Sequence, residues 1–525
     1  MKLKKILNKE SYFVIFLFIF SIGVNQYYGN KGVFPVDSFM HFDNGFRILL
    51  GEYPFKNFWT VSGPIIDYIQ SIFFYFLGVN WQVYILHASL FNAVLSIATF
   101  RLFINLNLNI YFSFIYSLFF CILAYPVSGT PFVDLHSAFF SLLGIYSLIF
   151  AIKYEKKIYW ILLPIIFSFA FLSKQVPSSY IIISTILILT VFSITQKKYY
   201  WIKYSFLSLA LFIIFLLIIG KIQGISLSSF FNQYILYPLT IGDNRLDNLN
   251  ITFRGTIDRF KFIYIALLVA FIINLKKIIF EKNYYKNKNF YYFLTFTLFT
   301  FSLILHQLLT NNQTFIFFLI PVLFAYSHTN LNLEKFNLKN SIPLILVLFC
   351  FFVTIKYHLR FNESRKFHEL SYVNFEKSAS AQKIDKKLLG LKWITPFYKG
   401  QPEEEINLIN QSKQHLLNDN RTKMLMTHYS FFSAALNQKL FATTRNFLTD
   451  NSSHPFSKKE HDYYLSYKNL FIKTIKNNNI KVIYTISPLK GSLIYNYLDK
   501  NCFKEIKISE TLNSYEIQNC NEINR

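Results

Sequence analysis

Residues 201–220 read WIKYSFLSLALFIIFLLIIG, and this stretch decides the class of fold. It carries a single charged side chain, and about 20 apolar residues are what a helix needs to cross the hydrocarbon core of a bilayer. Comparable blocks occur at 11–24, 65–78, 82–104, 110–125, 134–152, 158–172, 178–195, 261–275, 290–308, 313–327 and 341–357. The block at 65–78 is short and contains Asp67 and Gln70, so we interpret it as a helix lying at the membrane interface. About 11 spans remain, and the sequence predicts an α-helical polytopic membrane protein.

The composition agrees with this class, because 53 % of the 525 residues are hydrophobic and only 15 % are charged. The formal net charge of +25 could indicate nucleic-acid binding, but its distribution indicates topology instead. Met1–Lys9 holds four lysines and precedes a first span that lacks a small-residue cleavage site, which predicts an anchor with a cytoplasmic N-terminus. The inward loops are then 105–109, 153–157, 196–200, 276–289 and 328–340, and four of these five contain lysine. This is the positive-inside pattern, so we predict no nucleic-acid partner.

An odd number of spans places residues 359–525 on the exterior face. Residues 1–358 are therefore predicted to form the membrane body, with exterior loops at 25–64, 126–137 and 221–260. Residues 359–525 are predicted to form a soluble α/β domain. Its expected elements are helices at 376–390, 402–419 and 461–477 and buried strands at 423–429 and 479–487.

The four cysteines divide between these regions. Cys121 and Cys350 lie inside apolar spans and are interpreted as small hydrophobic residues. Cys502 directly precedes the strand-like segment FKEIKIS, and Cys520 ends the strand-like segment SYEIQNC, both in the exterior part. An oxidising compartment would permit a disulfide between them, and we predict that bond.

Two aspartates interrupt the chain after the first span, in VFPVDSFMHFDNGFR at 33–47. Asp43 and Arg47 are four residues apart, which on a helix favours a structural ion pair. Asp37 has no such partner within one turn. It stands where a helix N-cap is expected, and a carboxylate at the mouth of a membrane cavity would also have a raised pKa suited to a general base.

Asp134 and His136 stand at the outer end of a predicted span. Two such residues could bind a divalent metal ion together with Asp37, although a pair of this kind is often a hydrogen-bonded helix start. Lys174 and Gln175 interrupt two apolar blocks at a boundary where a positive charge departs from the inside rule. Lys174 could reach lipid headgroups as a snorkelling side chain, or it could bind a phosphate group.

Arg245, Arg254 and Arg259 lie in the exterior loop 221–260 and are further phosphate candidates. Asp243, Asp247 and Asp258 in the same loop could instead neutralise them. The sequence has no nucleotide-binding loop and no zinc-binding HExxH motif. An activated substrate delivered by the membrane therefore fits better than a nucleotide-linked one.

The order of these features resembles the multi-span GT-C glycosyltransferases, and within them the protein-mannosyltransferase and aminoarabinose-transferase group. In those families an acidic residue in the first exterior loop is followed by a degenerate run of glycine, proline and aromatic residues. Here the run comprises Gly51, Pro54, Phe55, Asn57, Phe58, Trp59, Gly63 and Pro64. Asn57 departs from the aspartate of many members. The motif likeness covers roughly residues 30–180, where Ser173–Gln175 matches a basic element at the end of a middle span.

The resemblance implies transfer of a sugar from a polyprenyl-phosphate donor to a lipid, glycan or protein acceptor outside the membrane, with inversion. Asp37 would be the general base. Lys174, Gln175 and the loop arginines would hold the donor phosphate, and Asp134, His136 and Asp43 would shape the pocket or hold an optional metal ion. The expected location is the inner membrane of a bacterium. The alternatives are a transporter or flippase for lipid-linked sugars, and a membrane glycan polymerase or ligase whose large loop would be 221–260.

Overall fold

The computed structural model describes residues 2–125, 129–310, 316–331, 341–456, 463–489 and 491–518, and the side chains from residue 9 onward. The α-helices of these residues are α1 Lys2–Gly29, α2 Pro35–Ser38, α3 Phe42–Leu49, α4 Pro64–Leu77, α5 Trp81–Asn105, α6 Ile110–Ala124, α7 Val133–Tyr154, α8 Lys157–Ser173, α9 Gln175–Gln196, α10 Tyr200–Gln223, α11 Leu227–Phe230, α12 Tyr237–Asp247, α13 Arg259–Phe280, α14 Lys288–Thr310, α15 Leu319–Thr329, α16 Ser341–His358, α17 Pro402–Asn418, α18 Phe432–Leu436 and α19 Tyr464–Asn477. The strands are β1 Ala379–Ser380, β2 Lys392–Trp393, β3 Lys423–Met426, β4 Val482–Ile486, β5 Phe503–Lys507 and β6 Leu512–Ile517.

The chain folds into two compact units that interleave along the sequence. The helical unit comprises Met1–Gly29, Ile85–Leu216 and Asn248–Phe367. The mixed unit comprises Asn30–Tyr84, Leu217–Asp247 and His368–Arg525. Most of the predicted exterior loops 25–64 and 221–260 therefore folds together with the C-terminal segment, whereas the sequence had assigned both loops to the membrane body.

Membrane-type helices dominate the helical unit. Eight helices of the described residues are long and apolar enough to cross a membrane: Lys9–Gly29, Trp81–Asn105, Val133–Tyr154, Gln175–Gln196, Tyr200–Gln223, Arg254–Phe280, Lys288–Thr310 and Ser341–His368. In α7, 89 % of the apolar window is buried among other helices, whereas in α10 only 6 % is buried. A helix whose apolar residues are almost all exposed is stable in hydrocarbon and unfavourable in water, so the class of helical membrane protein is confirmed.

Three shorter apolar helices, α6, α8 and α15, also coincide with predicted blocks. In α15, residues 319–328 are all buried in protein, so this helix of 11 residues does not need to match a lipid thickness. α8 runs back along α7. The Ser147 hydroxyl donates to the Tyr159 carbonyl at 3.2 Å, while Lys174 just past the end of α8 reaches Asp134 in the first turn of α7.

The mixed unit contains a four-stranded sheet of order β3-β4-β6-β5. β3 and β4 are parallel, with Lys423 opposite Val482, and β6 is antiparallel to both β4 and β5. Both β3 and β4 are buried along their whole length, as the continuous apolar runs predict. α17 and α19 lie within the predicted ranges, and Pro402 and three glutamates occupy the first turn of α17.

The helix predicted at 376–390 is wrong. This stretch forms β1 and short 3-10 turns instead. The Ser380 and Asp385 side chains accept hydrogen bonds from the backbone N–H groups two residues further on. Such local bonds give the backbone an alternative to the helix ladder, which is why serine and aspartate favour turns.

All three segments of the mixed unit share one core. Trp59 from the first segment and Tyr237 from the second pack edge to face at 5.5 Å, and Trp59 also packs against Tyr467 from the third. Cys502 belongs to the same core and is disulfide-bonded, while its predicted partner Cys520 lies outside the described residues. Cys121 and Cys350 are free and buried, as predicted.

Candidate functional site

Asp37 lies on the short helix α2 of the mixed unit. Phe34 is the N-cap of that helix and Pro35 its first residue, so Asp37 occupies the third helical position. The interpretation of Asp37 as an N-cap is therefore wrong. A carboxylate in the first turn still interacts favourably with the positive end of the helix. Asp37 is partly exposed.

The predicted ion pair of Asp43 with Arg47 does not form. Arg47 instead donates from Nε to Glu52 Oε2 at 2.8 Å and from Nη2 to the Ala442 carbonyl at 2.7 Å. The chain turns back immediately after α3, where the Glu52 backbone N–H donates to the Arg47 carbonyl. This turn brings a second carboxylate to the same guanidinium, a contact that helical spacing alone does not anticipate.

Asp43 is consequently a buried carboxylate held mainly by hydrogen bonds. Its Oδ1 accepts from the Ala434 backbone N–H at 2.9 Å, and its exposed fraction is 8 %. Burial raises the pKa of Asp43 above its ordinary value, against the lowering effects of Ser433, Ala434 and Arg47. A carboxyl group with a raised pKa exchanges protons nearer to neutral pH.

A small polar cavity adjoins this carboxylate. Its volume is about 20 Å³, and Asp43, Arg47, Thr427, Ser430 and Arg445 are among its lining residues. This is room for about one water molecule. The cavity is too small to hold a sugar, so we assign it no substrate.

A second buried polar cluster in the mixed unit was missed by sequence reasoning. His41 Nδ1 lies 2.6 Å from Asp67 Oδ1, and Arg445 Nη2 donates to Asp67 Oδ2 at 2.6 Å. Burial lowers the pKa of His41, which favours the neutral imidazole even though Asp67 opposes this effect. With Nδ1–H donated to Asp67, Nε2 is an acceptor, and it has no hydrogen-bond partner among the described residues.

One signal for this cluster was present in the sequence. Asp67 and Gln70 stand inside an apolar block, and both are completely buried on α4. Polar residues in such a block are typical of a helix at the membrane interface, and equally of a helix that buries a polar network. The sequence suggested the interfacial helix, because the partner that would have revealed the network, Arg445, lies 378 residues away from Asp67.

The GT-C-like run forms the turn that joins α3 to α4. Gly51 and Gly63 have φ of +79° and +66°, which other residues adopt only with strain, and Pro64 is the first residue of α4. The Asn57 side chain accepts a hydrogen bond from the Tyr53 backbone N–H at 2.8 Å. An aspartate could accept the same bond, so the departure at this position preserves the turn.

In the helical unit, the predicted site residues Asp134 and Lys174 contact each other, and His306 also contacts Asp134. Lys174 Nζ lies 2.6 Å from Asp134 Oδ1, and His306 Nε2 lies 3.3 Å from the same oxygen. Lys174 is thus ion-paired with protein, an arrangement that neither the snorkelling nor the phosphate interpretation anticipates. Gln175 follows as the first residue of α9, and its carbonyl accepts from the Ser178 and Ser179 hydroxyl groups.

His136 faces other partners than Asp134. Its Nδ1 lies 3.1 Å from the Tyr125 hydroxyl, and its Nε2 lies 3.0 Å from His87 Nε2. No group of three or more histidine, cysteine, aspartate or glutamate residues in the described part of the chain could hold a metal ion. The residues therefore do not fit the divalent metal that Asp134 and His136 suggested.

The three loop arginines occupy different elements. Arg245 lies in the last turn of α12, in the mixed unit. Arg254 begins a π-helical turn, Arg254–Asp258, and Arg259 begins α13, both in the helical unit. Asp258 forms its salt bridge with Lys261 at 2.7 Å, so it does not neutralise Arg259 as the sequence allowed.

These observations define a class, that of polytopic helical membrane proteins with buried polar clusters. No family model matches the sequence, and no curated protein matches it significantly. The function therefore has to be argued from the clusters and the topology.

Proposed function

We propose that this protein is a GT-C-type glycosyltransferase that moves a sugar from a polyprenyl-phosphate donor to an acceptor on the exterior face of the membrane. One observation carries the proposal. The stretch at 33–64 that resembles the family is also the stretch around which the mixed unit builds its buried carboxylates, at His41–Asp67 and at Asp43. Buried ionisable groups in a polar cluster are typical of functional sites.

The proposed topology has eleven spans, the eight long helices together with α6, α8 and α15. Contacts among the three segments of the mixed unit support it. The Thr60 N–H donates to Gln233 Oε1 at 3.0 Å, and the Trp59 N–H donates to the Thr443 carbonyl at 2.8 Å. Segments that touch must lie on one side of a membrane, so an even number of spans must separate them.

Eleven spans satisfy this condition, with six between the first and second segments and four between the second and third. The eight long helices alone leave three between the second and third segments, an odd number. Parity therefore favours a crossing by α15. With a cytoplasmic N-terminus in a bacterial inner membrane, the mixed unit lies on the exterior side, where lipid-linked sugars rather than nucleotides would be available.

In the proposed reaction, Asp37 accepts the proton of an acceptor hydroxyl as its oxygen attacks the anomeric carbon of the sugar. The new C–O bond forms opposite the bond to the lipid phosphate, which breaks and leaves its electron pair on the phosphate oxygen. The configuration therefore inverts. Cationic and polar side chains would stabilise the leaving phosphate, and the candidates that the resemblance provides are Lys174, Gln175, Arg245, Arg254 and Arg259.

These cations are not equivalent. Lys174 has Asp134 as its counter-ion, so its net attraction for phosphate is smaller than that of an unpaired cation. Arg254 is exposed, and it shares the Asp258 carboxylate with Lys261 and Lys356, so it has no counter-ion of its own among the described residues. We therefore expect substitution of Arg254 to weaken donor binding more than substitution of Lys174.

The central test measures sugar transfer from a labelled polyprenyl-phosphate sugar in membranes that carry wild-type, Asp37→Asn or Asp243→Asn protein. Loss of a general base lowers turnover about 10²–10⁴-fold, so Asp37→Asn should lose activity to that degree. Asp243 is exposed, and its variant is the matched control. Full turnover by Asp37→Asn at a normal protein level would contradict the assignment. Translocation of the labelled lipid without any transfer product would favour the transporter alternative.

A further inference from the structure

Basic residues gather where α13 begins and α16 ends. Lys261, Arg254 and Lys356 act on the carboxylate of Asp258, and Arg360 lies in the turn that follows α16; we call these four residues the cationic cluster. Lys261 is bonded to Asp258 at 2.7 Å, and Arg254 and Lys356 lie close enough to attract the same carboxylate. Among the described residues, Lys261 is the member of the cluster that has a salt bridge.

Aromatic rings hold two of these cations in place. Lys356 Nζ lies 4.5 Å from the ring centroid of Phe262, a residue of α13, and the Arg360 guanidinium lies 5.2 Å from the ring of Phe361. Phe262 also packs against Tyr357 of α16 at 6.1 Å. The contact ties the two helix ends together, and the backbone at both ends forms a π-helical turn, at Arg254–Asp258 and at Leu359–Glu363. Such turns occur frequently at functional sites.

The cationic cluster has more positive charge and more N–H donors than its protein partners neutralise or accept from. Three cations act on the one carboxylate of Asp258, which leaves an excess of two positive charges around it. Arg360 Nε is buried and has no hydrogen-bond partner among the described residues. An N–H donor in this condition is unfavourable unless a ligand supplies an acceptor.

Next to the cluster, both helices expose apolar side chains. On the α13 side and the α16 side these are Ile257, Ile265, Leu268, Phe352, Ile355 and Leu359. In a membrane this surface faces acyl chains. A ligand that combines a phosphate with hydrocarbon chains would therefore contact both the charges and the apolar surface.

We propose that the cationic cluster binds the phosphate headgroup of a lipid in the exterior leaflet, with the lipid chains along α13 and α16. The positive-inside rule predicts few basic residues at this end of the helices, so four together need a reason other than topology. A free phosphate ion would contact the charged residues but not the apolar surface. We therefore expect the ligand to be a phosphate attached to a lipid. The proposal rests on the proposed topology and shares Arg254 with the proposed donor-phosphate contacts, but lipid binding does not require glycosyl transfer.

Native mass spectrometry of the full-length protein in neutral detergent tests the proposal without an activity assay. Wild type should bind phosphatidylglycerol in preference to phosphatidylcholine. The Lys356→Gln/Arg360→Gln variant should bind it roughly thirtyfold more weakly, since each basic residue near a lipid headgroup contributes about 1 kcal/mol. The matched control is Lys276→Gln/Lys282→Gln, which removes two exposed cations at the other end of α13 and should bind like wild type.

Equal binding by the cluster variant and wild type, equal loss in the control, or displacement of the lipid by millimolar inorganic phosphate would overturn the proposal. Binding of polyprenyl monophosphate ahead of phosphatidylglycerol would support it and identify the lipid as the donor carrier. If the double variant does not fold, Arg254→Gln provides the same comparison, because this side chain is exposed and has no role in the core. Normal lipid binding by that variant would overturn the lipid proposal, whereas absence of sugar transfer by the wild-type protein would disprove a different claim, the proposed function.

Discussion

At the scale of single residues, the environment of each carboxylate decides its chemistry more than its spacing in the sequence does. Asp43 and Arg47 have ideal helical spacing, yet Arg47 bonds Glu52 and Asp43 bonds the backbone of α18. The consequence is a buried carboxyl group whose charge is stabilised by hydrogen bonds rather than by a bonded cation. Its protonation should therefore affect the stability of the mixed unit.

Asp43 should make the protein less stable as the pH rises. The folded-state pKa of Asp43 is raised above its unfolded value, so the stability that the protonated form contributes is complete below the unfolded pKa. That contribution is lost as the pH rises through the folded pKa. Asp43→Asn keeps an acceptor for the Ala434 N–H and should show a smaller decrease in melting temperature than wild type as the pH rises above the ordinary pKa of an aspartate. Differential scanning fluorimetry in detergent measures this, with Asp243→Asn as the exposed control; parallel curves for Asp43→Asn and wild type would contradict the prediction.

The buried pair of Asp67 and Arg445 should be costly to break. Arg445→Gln leaves the Asp67 carboxylate in the core without its cation, and removing one partner of a buried pair costs about 3–5 kcal/mol. The Asp67→Asn/Arg445→Gln double variant removes both charges and should recover a large part of that loss. A double-mutant cycle of unfolding free energies measures the coupling. Additive effects of the two substitutions would show that the pair contributes nothing. The control is Lys383→Gln, which breaks an exposed ion pair with Glu403 and should change stability little.

At the scale of elements, close packing of α7 against α8 depends on a glycine. A Cβ added at Gly144 would lie 2.6 Å from Cε1 of Phe167, so the two helices approach each other through the missing side chain. Small residues at such contacts let membrane helices pack closely. In α10, by contrast, a Cβ at Gly220 would have no atom within 4 Å.

These two glycines provide a matched comparison. Gly144→Ala forces the Phe167 ring to move and should destabilise the protein by about 1–3 kcal/mol, the usual range for overpacking. Gly220→Ala meets open space and should be neutral or stabilising by up to about 1 kcal/mol, because alanine favours the helix. Thermal unfolding in detergent measures both. The Gly144→Ala/Phe167→Leu variant should regain stability, and equal effects of the two single variants would disprove the packing argument.

Elements were predictable where the signal is local. Apolar runs predict the buried strands β3 and β4 and the helices α5, α7 and α10. Pro402 and the glutamates that follow it predict the start of α17. The helix prediction for 376–390 was wrong because hydrogen bonds from the backbone to the Ser380 and Asp385 side chains stabilise turns in a segment of helical composition. The polar cluster of His41 and Asp67 was not predictable, since its third member comes from the far end of the chain.

At the scale of the whole molecule, the contacts of the mixed unit restrict the topology more tightly than hydropathy does. Three segments separated by membrane-type helices share one core, and the proposed topology therefore places them on one side of the membrane. Hydropathy alone leaves the crossing of the short helix α15 undecided.

Cysteine accessibility tests the resulting topology. Thr449 is exposed in the mixed unit, and Lys282 is exposed in the predicted inward loop after α13. An impermeant maleimide should label Thr449→Cys in spheroplasts with intact inner membranes and should label Lys282→Cys only after permeabilisation. Wild type is the control, because Cys121 and Cys350 are buried and Cys502 is disulfide-bonded. The reverse labelling pattern would overturn the orientation.

By itself the sequence determined the membrane class, the positions of the apolar helices and the polar stretch between the first two of them. These properties depend on short runs of residues, and the cost of exposing apolar or burying polar groups is the same wherever the run lies. Only the tertiary structure decided the partners of Asp43 and Asp67, which lie 391 and 378 residues away, and the grouping of three distant segments into one unit. Hydrogen bonds and ion pairs are short-ranged, so they depend on which segments meet in space, and local patterns contain no information about that meeting.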